Sequence, residues 1–122
     1  MMKKPISRQM HGWVTDYPYV ALVSTAPETV GFTEVKPAVT LCRVLSGSIL
    51  VSSLLTRGEW GVVRVMPYKA HLVFDVLGGV LALSAPWLFG FSRHEKACDA
   101  FVTAGIFGIL AGTLSQEDEM RA

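Results

Sequence analysis

The stretch that decides the fold is residues 76–91, VLGGVLALSAPWLFGF, which contains no charged residue. A helix in a water-soluble bundle normally keeps a polar stripe along its solvent side. This stretch offers no such stripe, so every side of the helix that it forms must face apolar surroundings. The pattern predicts a helix that lies in the hydrocarbon of a membrane.

Three further apolar segments accompany this one. A helix needs about 20 residues to cross about 30 Å of hydrocarbon, and the third segment meets that length well. The first segment is the weakest, because it contains Asp16 and Pro18, and its crossing depends on the repeat described below. We therefore predict an all-α chain with four transmembrane helices. The four segments are 12–26, 38–55, 70–89 and 97–114.

Composition supports a single membrane domain over residues 1–122. Only 17% of the residues are charged, against about 25% in an ordinary soluble domain. A net charge of +1, without a basic stripe, argues against a nucleic-acid partner. Cys42 and Cys98 both lie in apolar runs, as buried thiols do. The basic N-terminus leads into no signal-peptide core, so we expect no removed targeting segment.

An internal duplication organises the chain. Residues 16–33 align with residues 75–92 at a constant offset of 59, which brings Asp16 onto Asp75. Each copy predicts a helical hairpin, one over 12–56 and one over 70–114. Two spans per copy make the repeats parallel, related by an axis along the membrane normal. One residue of slippage in the second helix aligns two further pairs, Val44 with Val102 and Gly47 with Gly105.

Proline and glycine mark the predicted hairpin turns. Pro27 and Pro86 are expected to stop the first and third helices. Gly31 and Gly90 then give the chain freedom to turn into the next helix. Three aromatic residues near the second turn are expected at the depth of the lipid headgroups, namely Trp87, Phe89 and Phe91.

The basic residues predict an orientation. Because loops rich in Lys and Arg stay on the cytoplasmic side, we expect both termini in the cytoplasm and the chain in the inner membrane of a prokaryote. The residues predicted on the cytoplasmic side are Lys3, Lys4, Arg8, Arg57, Arg64, Lys69 and Arg121. Those on the opposite side are Lys36, Arg93 and Lys96, with Arg43 just inside the second span.

The motif in residues 84–92, SAPWLFGFS, resembles the signature of the SPW repeat family of small prokaryotic membrane proteins. In that family Ser-Pro-Trp, often followed by Gly-Phe, ends the first helix of each two-helix unit. Here an alanine separates Ser84 from Pro86, and the first copy, residues 25–28, reads TAPE without a tryptophan. The resemblance covers residues 70–114 and, more weakly, residues 12–56. It implies a multi-pass membrane fold and transfers no catalytic residue.

The candidate intramembrane polar residues are Asp16, Asp75, Arg43 and Asp99, and two histidines stand near the first two. Asp16 and Asp75 occupy equivalent positions, and an ionisable group inside a span is a functional candidate because its burial in lipid is costly. The competing interpretation, which we favour, is that each caps a helix N-terminus. His71 stands four residues before Asp75 and His11 five before Asp16. Either histidine is a candidate ligand for a pigment or haem, although a hydrogen-bonded anchor is the commoner role.

Further polar and small residues suggest contacts at the helix ends and between helices. Arg43 and Asp99 are expected near the non-cytoplasmic ends of their helices, where Arg43 extends to the interface, Asp99 caps the fourth helix, or the two form an ion pair. His94, in a charged loop, is expected to be solvated. The fourth helix also carries small residues every four positions, which favour close helix packing within the chain; they are Ala100, Ala104, Gly108 and Gly112.

No motif for nucleophilic, phosphate-binding, dinucleotide-binding or metallopeptidase chemistry occurs, so we do not expect an enzyme. The sequence favours a non-catalytic accessory or structural subunit of a larger membrane complex, with the lipid bilayer and other membrane subunits or a second copy as partners. A small transporter or channel that uses Asp16 and Asp75 is the alternative. A holder of a histidine-ligated pigment or haem is the third; otherwise we expect no cofactor and no metal.

Overall fold

A computed structural model describes residues 4–56 and 61–116, which are helical throughout except for short connections. No β-strand occurs in these two ranges, so the predicted all-α class is confirmed. We number the helical stretches α1 to α4. The first is composite and covers residues 8–31; the others are α2, Lys36–Leu55; α3, Tyr68–Leu88; and α4, Glu95–Leu114.

The α1 stretch alternates between two helix types without a break. It consists of an α-helical turn, a π-helical turn, a longer α-helix and a final π-helical turn, which are Arg8–Met10, His11–Asp16, Tyr17–Ala26 and Pro27–Gly31. Ser7 is the N-cap and accepts a hydrogen bond from the Met10 backbone N–H at 3.2 Å. The helix therefore begins before the apolar segment that predicted it, since polar residues 8–11 extend it.

The two turns between paired helices are built alike. Gly31 and Gly90 adopt positive φ angles of 100° and 76°, which glycine alone adopts without strain. This confirms the predicted turn glycines. The prolines are displaced from their predicted role, because Pro86 lies inside α3 and Pro27 opens the last turn of α1. Each helix continues for a few residues past its proline, because backbone N–H groups of those residues still bond to carbonyl oxygens.

The second helix of each hairpin repeats at an offset of 59 over its whole length. Lys36–Leu55 and Glu95–Leu114 correspond end to end, and their buried positions coincide: Ala38 with Ala97, Cys42 with Phe101, Ser46 with Gly105. The slippage that aligned Val44 with Val102 is therefore wrong. Identical residue types suggested the slippage. The buried positions, which follow the packing face of each helix, keep the single offset of 59.

Both chain ends of the described region and the middle connection lie at one end of the bundle. Ile6 forms an isolated bridge with Ser115, and Thr56 forms the equivalent bridge with Met66. The hairpin turns lie at the other end. Of the basic residues used to predict orientation, Lys3, Arg57 and Arg121 lie outside the described residues. Lys4, Arg8, Arg64 and Lys69 belong to the first end, and Lys36, Arg93 and Lys96 to the second.

Three helices, α2, α3 and α4, are long and apolar enough to cross a membrane. Most residues of each span face outward instead of into the bundle. Large apolar side chains that lie exposed include Leu22, Leu77 and Leu110, and such a surface is typical of helices solvated by lipid. The α1 stretch does not meet the same criterion, so a fourth span remains a prediction.

The apolar core lies near the hairpin turns. Phe32 and Phe91, which follow the two turn glycines, are both buried and tilt against Phe101 at ring distances of 6.4 and 5.1 Å. The expectation of Phe91 at the headgroups is therefore wrong, since the turn directs its ring inward. Trp87 and Phe89, in contrast, are exposed, as the headgroup prediction requires.

The second hairpin is joined by close backbone contact. A methyl group added at Gly79 of α3 would lie 2.8 Å from Gly105 O and 2.8 Å from Ile109 N in α4. Gly108 and Gly112 also face α3. Ala100 and Ala104 instead pack against the core beside α1. The predicted stripe of small residues thus serves two different intrachain contacts.

Adjacent glycines of α3 offer a matched test of this packing. We expect Gly79→Ala to lower the stability of the protein in detergent, by about 1–3 kcal/mol, because the new methyl group overpacks the interface with α4. Gly78→Ala, whose methyl group meets nothing within 4 Å, should be neutral or slightly stabilising. Thermal unfolding followed by circular dichroism measures both, and equal midpoints would contradict the packing.

Candidate functional site

Four buried ionisable side chains meet between the two hairpins. His11 Nε2 lies 2.7 Å from Asp75 Oδ2 and 3.0 Å from Asp16 Oδ1. His71 Nε2 lies 2.8 Å from Asp16 Oδ2 and 3.3 Å from Asp75 Oδ2. Each histidine thus contacts the aspartate of its own helix and that of the other hairpin. We call these four residues the His–Asp centre.

A π-helical turn explains how the unequal spacings of the two copies give equivalent geometry. In α3, His71 and Asp75 are four residues apart, one α-helical turn. In α1, His11 and Asp16 are five residues apart, and the π-helical turn His11–Asp16 places them on the same side; the Tyr17 N–H bonds to Gly12 O across five residues. The π-helical turn accommodates the inserted residue, so the histidine and aspartate of the first copy lie on one side of their helix, as those of the second copy do.

Hydroxyl groups hold the other nitrogen of each histidine. Ser115 Oγ lies 2.6 Å from His11 Nδ1, and Thr56 Oγ1 lies 2.9 Å from His71 Nδ1. These hydroxyls are themselves repeats at an offset of 59, each at the end of the second helix of its hairpin. Each donates its own proton to a backbone carbonyl at 2.5 Å, Ala111 O for Ser115 and Ser52 O for Thr56.

This arrangement sets the tautomer of His11. Because the Ser115 hydroxyl proton is used on a carbonyl, its oxygen is left to accept, and His11 Nδ1 carries the hydrogen. At His71 the Thr56 oxygen can accept in the same way, while Ser52 Oγ, at 2.6 Å, can donate to the same Nδ1.

The centre is almost sealed from solvent. His71 and His11 are 0% and 1% exposed, and Asp75 and Asp16 are 5% and 7% exposed. The buried Tyr68 ring stacks on His71 and meets His11 edge-on, at centroid distances of 6.4 and 5.8 Å. Charges in such surroundings are retained only when partners neutralise them.

A small cavity of about 20 Å³ adjoins the two aspartates. Thr15, Tyr19 and Phe107 also line it. Its size suits one water molecule or ion and is far below that of a macrocycle. This cavity therefore gives no support to the hypothesis of a bound pigment or haem.

Two atoms of the centre lack a hydrogen-bond partner among the described residues. They are His71 Nε2, which approaches Asp16 without the alignment of a hydrogen bond, and Asp75 Oδ1. The four side chains can each offer one ligand atom to a metal ion, and these atoms lie within 4.8 Å of one another. Residues 4–56 and 61–116 contain no second grouping of this kind.

The favoured interpretation of the aspartates as helix caps is wrong. The α1 stretch starts at Arg8 and α3 at Tyr68, so Asp16 and Asp75 stand about two turns inside their helices. Hydropathy placed the helix starts too late, because polar residues precede the apolar segments. The two aspartates instead meet between the hairpins, where each lies within 3.3 Å of both histidines.

The other predicted positions fall elsewhere. Arg43 pairs with Glu28 at 2.7 Å and also donates to Ser24 O, so the ion pair with Asp99 is not formed. Asp99 is exposed on α4 and is not its cap. The pairing of Arg43 follows from α1, whose extension to Gly31 brings Glu28 beside α2. Asp99 is not the cap because α4 begins at Glu95, four residues before it.

His94 is the cap that Asp99 was expected to provide. Its Nδ1 accepts a hydrogen bond from the Ala97 N–H at 3.3 Å, and its Nε2 lies 2.7 Å from Glu34 of the other hairpin turn. The solvated role predicted for His94 is therefore wrong. A hydrogen bond to its own backbone N–H, helped by His94, lowers the pKa of Glu34, so this exposed carboxylate is charged at neutral pH.

Sequence reasoning missed the residues that surround the His–Asp centre. Tyr68 and Ser52 leave no trace in spacing. Thr56 and Ser115 did leave one, because they fall at the repeat offset of 59 and both carry hydroxyls. Extending the duplication beyond the apolar segments would have identified them.

Comparisons with known proteins add no relative. No family model matches the chain, no curated protein matches it, and no solved structure matches it. The resemblance to the SPW repeat family therefore stays a prediction.

The His–Asp centre predicts a large difference between two carboxylate variants. We expect Asp16→Asn to lower the stability in detergent by about 3–5 kcal/mol, because it leaves two buried histidines without one of their counter-charges. Glu28→Gln, which removes the exposed partner of Arg43, should cost about 0–1 kcal/mol. Thermal unfolding measures both, and similar losses would show that the centre contributes no more than a surface pair.

Proposed function

We propose that this chain is a four-span membrane protein of the prokaryotic cytoplasmic membrane, with both termini in the cytoplasm, that serves as a non-catalytic structural subunit of a larger membrane assembly. The proposal rests on the distribution of polar and apolar groups between the interior and the outer surface. The charged groups of the interior bind one another in the His–Asp centre, while the outer surface of the helices is apolar. Such a body suits lateral contact with lipid and other membrane helices.

The sealed state of the centre favours a static role over transport. A transport site must exchange its ion or proton with water on both sides of the membrane in turn. Asp16 and Asp75 are nearly inaccessible and each contacts both histidines. Tyr68 and the hydroxyls of Thr56 and Ser115 close the end of the centre nearest the chain termini. A structural junction between the hairpins accounts for this enclosure without any moving part.

Membrane orientation is tested with single cysteines. In a chain with Cys42→Ala and Cys98→Ala, we expect Arg93→Cys to react with an impermeant maleimide on intact cells. Arg64→Cys should react only after the membrane is permeabilised, because the two positions lie at opposite ends of the bundle. Labelling of both positions from the same side would contradict an even number of spans with cytoplasmic termini.

The assembly role is tested by purification in a mild detergent. We expect other membrane proteins to co-purify in fixed stoichiometry, which quantitative mass spectrometry of the eluate measures. Leu22→Ser and Leu77→Ser place a hydroxyl on two outward faces and should reduce recovery of a partner that docks on either face. A monodisperse chain with no co-purifying protein in several detergents would contradict this role.

A further inference from the structure

We propose that the His–Asp centre is a binding site for one divalent transition-metal ion, best matched to Zn²⁺, held by His11 and His71 through Nε2 and by Asp16 and Asp75 through one carboxylate oxygen each. This inference goes beyond the structural role proposed above and does not depend on it. The ion would lie between the two hairpins and join the repeats.

The spacing of the ligand atoms suits a tetrahedral ion. Zinc bonds of about 2.0–2.2 Å place neighbouring ligands of a tetrahedral site roughly 3.3 Å apart. The four contacts between Nε2 atoms and carboxylate oxygens range from 2.7 to 3.3 Å, with Asp16 turning a different oxygen toward each histidine. One donor atom from each of the four residues lies within 4.8 Å of the others, so side-chain shifts that even out this spacing make room for an ion at the centre of the group.

The atoms whose hydrogen bonding is unsatisfied point to the same conclusion. Asp75 Oδ1 is buried without a hydrogen bond, and His71 Nε2 meets Asp16 at 2.8 Å without the alignment of one. Buried polar atoms that lack a hydrogen bond are costly. An ion that binds His71 Nε2 satisfies that nitrogen. Asp75 lines the cavity of about 20 Å³, which gives its second oxygen access to a water molecule or lets it bind the ion directly.

The surroundings of the histidines are those of a metal site. A metal-ligating imidazole usually donates its other N–H to an oxygen, which fixes the tautomer and the ring orientation. Ser115 does this for His11 and Thr56 for His71, at 2.6 and 2.9 Å. When Nδ1 donates to these oxygens, the lone pair of the neutral ring is at Nε2, the atom directed at the carboxylates.

Charge and donor type select the class of ion. Two carboxylates and a divalent ion sum to zero when both imidazoles are neutral, so the buried site carries no net charge. Two imidazole nitrogens favour zinc and other transition metals over Mg²⁺ and Ca²⁺, which prefer oxygen ligands and higher coordination numbers. Four donors at this spacing match the coordination number of structural zinc.

The test is a Zn²⁺ titration of the full chain purified in mild detergent after treatment with a chelator. We expect one tight equivalent per chain, measured by calorimetry and by elemental analysis after gel filtration. Co²⁺ bound in its place should give the intense visible bands of a tetrahedral site. Zn²⁺ should also raise the thermal unfolding midpoint, since it binds only the folded chain.

Three variants separate this site from incidental binding. Asp75→Asn should abolish the tight equivalent, and Ser115→Ala, which removes the hydroxyl that supports His11, should weaken it about 10–100-fold. Glu34→Gln removes an exposed carboxylate beside His94 and should bind Zn²⁺ like the parent chain. If Asp75→Asn does not fold, which circular dichroism reveals, Ser115→Ala and the Co²⁺ spectrum of the parent chain decide.

Two results would overturn the proposal. One is a parent chain that takes up no Zn²⁺ while Asp75→Asn still unfolds at lower temperature, which identifies the centre as a hydrogen-bonded ion-pair junction without metal. The other is tight binding that Ser115→Ala leaves unchanged, together with a Co²⁺ spectrum that is not tetrahedral. That combination assigns the metal to other residues, such as Cys42, Cys98 or His94.

Discussion

The structure depends on the neutralisation of charge inside an apolar body. Asp16 and Asp75 lie two turns within their helices, where an isolated carboxylate is too costly to keep ionised. Each is offset by both histidines, and each histidine is held in turn by a hydroxyl of the opposite hairpin. No single hairpin contains a complete set of partners. The two hairpins must therefore dock in one register for any of these groups to be satisfied, which makes the centre a constraint on the fold as well as a site.

Duplication gives this constraint its form. Equivalent residues of the two copies meet across the repeat axis, so one set of side-chain chemistry supplies both halves of the centre. The histidine, aspartate and terminal hydroxyl of the centre occur in both copies, while the exposed Trp87 has Glu28 as its counterpart. The inserted residue between His11 and Asp16 is tolerated because a π-helical turn returns the pair to the same side.

Sequence reasoning recovered the fold class, the helix segments to within a few residues and the turn glycines, because apolar runs and positive-φ glycines are local signals. It also identified His11, Asp16, His71 and Asp75 as the chemically important residues. It misjudged how they act, since capping was argued from the apparent helix starts, and polar residues 8–11 and 68–69 extend both helices toward the termini. The partners in Thr56, Ser115 and Tyr68 depend on how the hairpins dock. Hydropathy and spacing within one helix carry no information on that docking.

Different kinds of interaction stabilise the two ends of the bundle, and the difference bears on the function of the molecule. Near the hairpin turns, aromatic rings and alanines pack in a dry core around Phe101, and any apolar set of similar volume would serve. At the other end, the packing is polar, directional and closed by hydroxyls that are themselves bonded to carbonyls. A purely structural junction in lipid would be simpler and more stable if apolar, because desolvation offsets most of the gain of a buried ion pair. The retention of four ionisable groups in one sealed centre is the feature that the metal ion proposed above would explain, since two nitrogen and two oxygen ligands would then share a single cation.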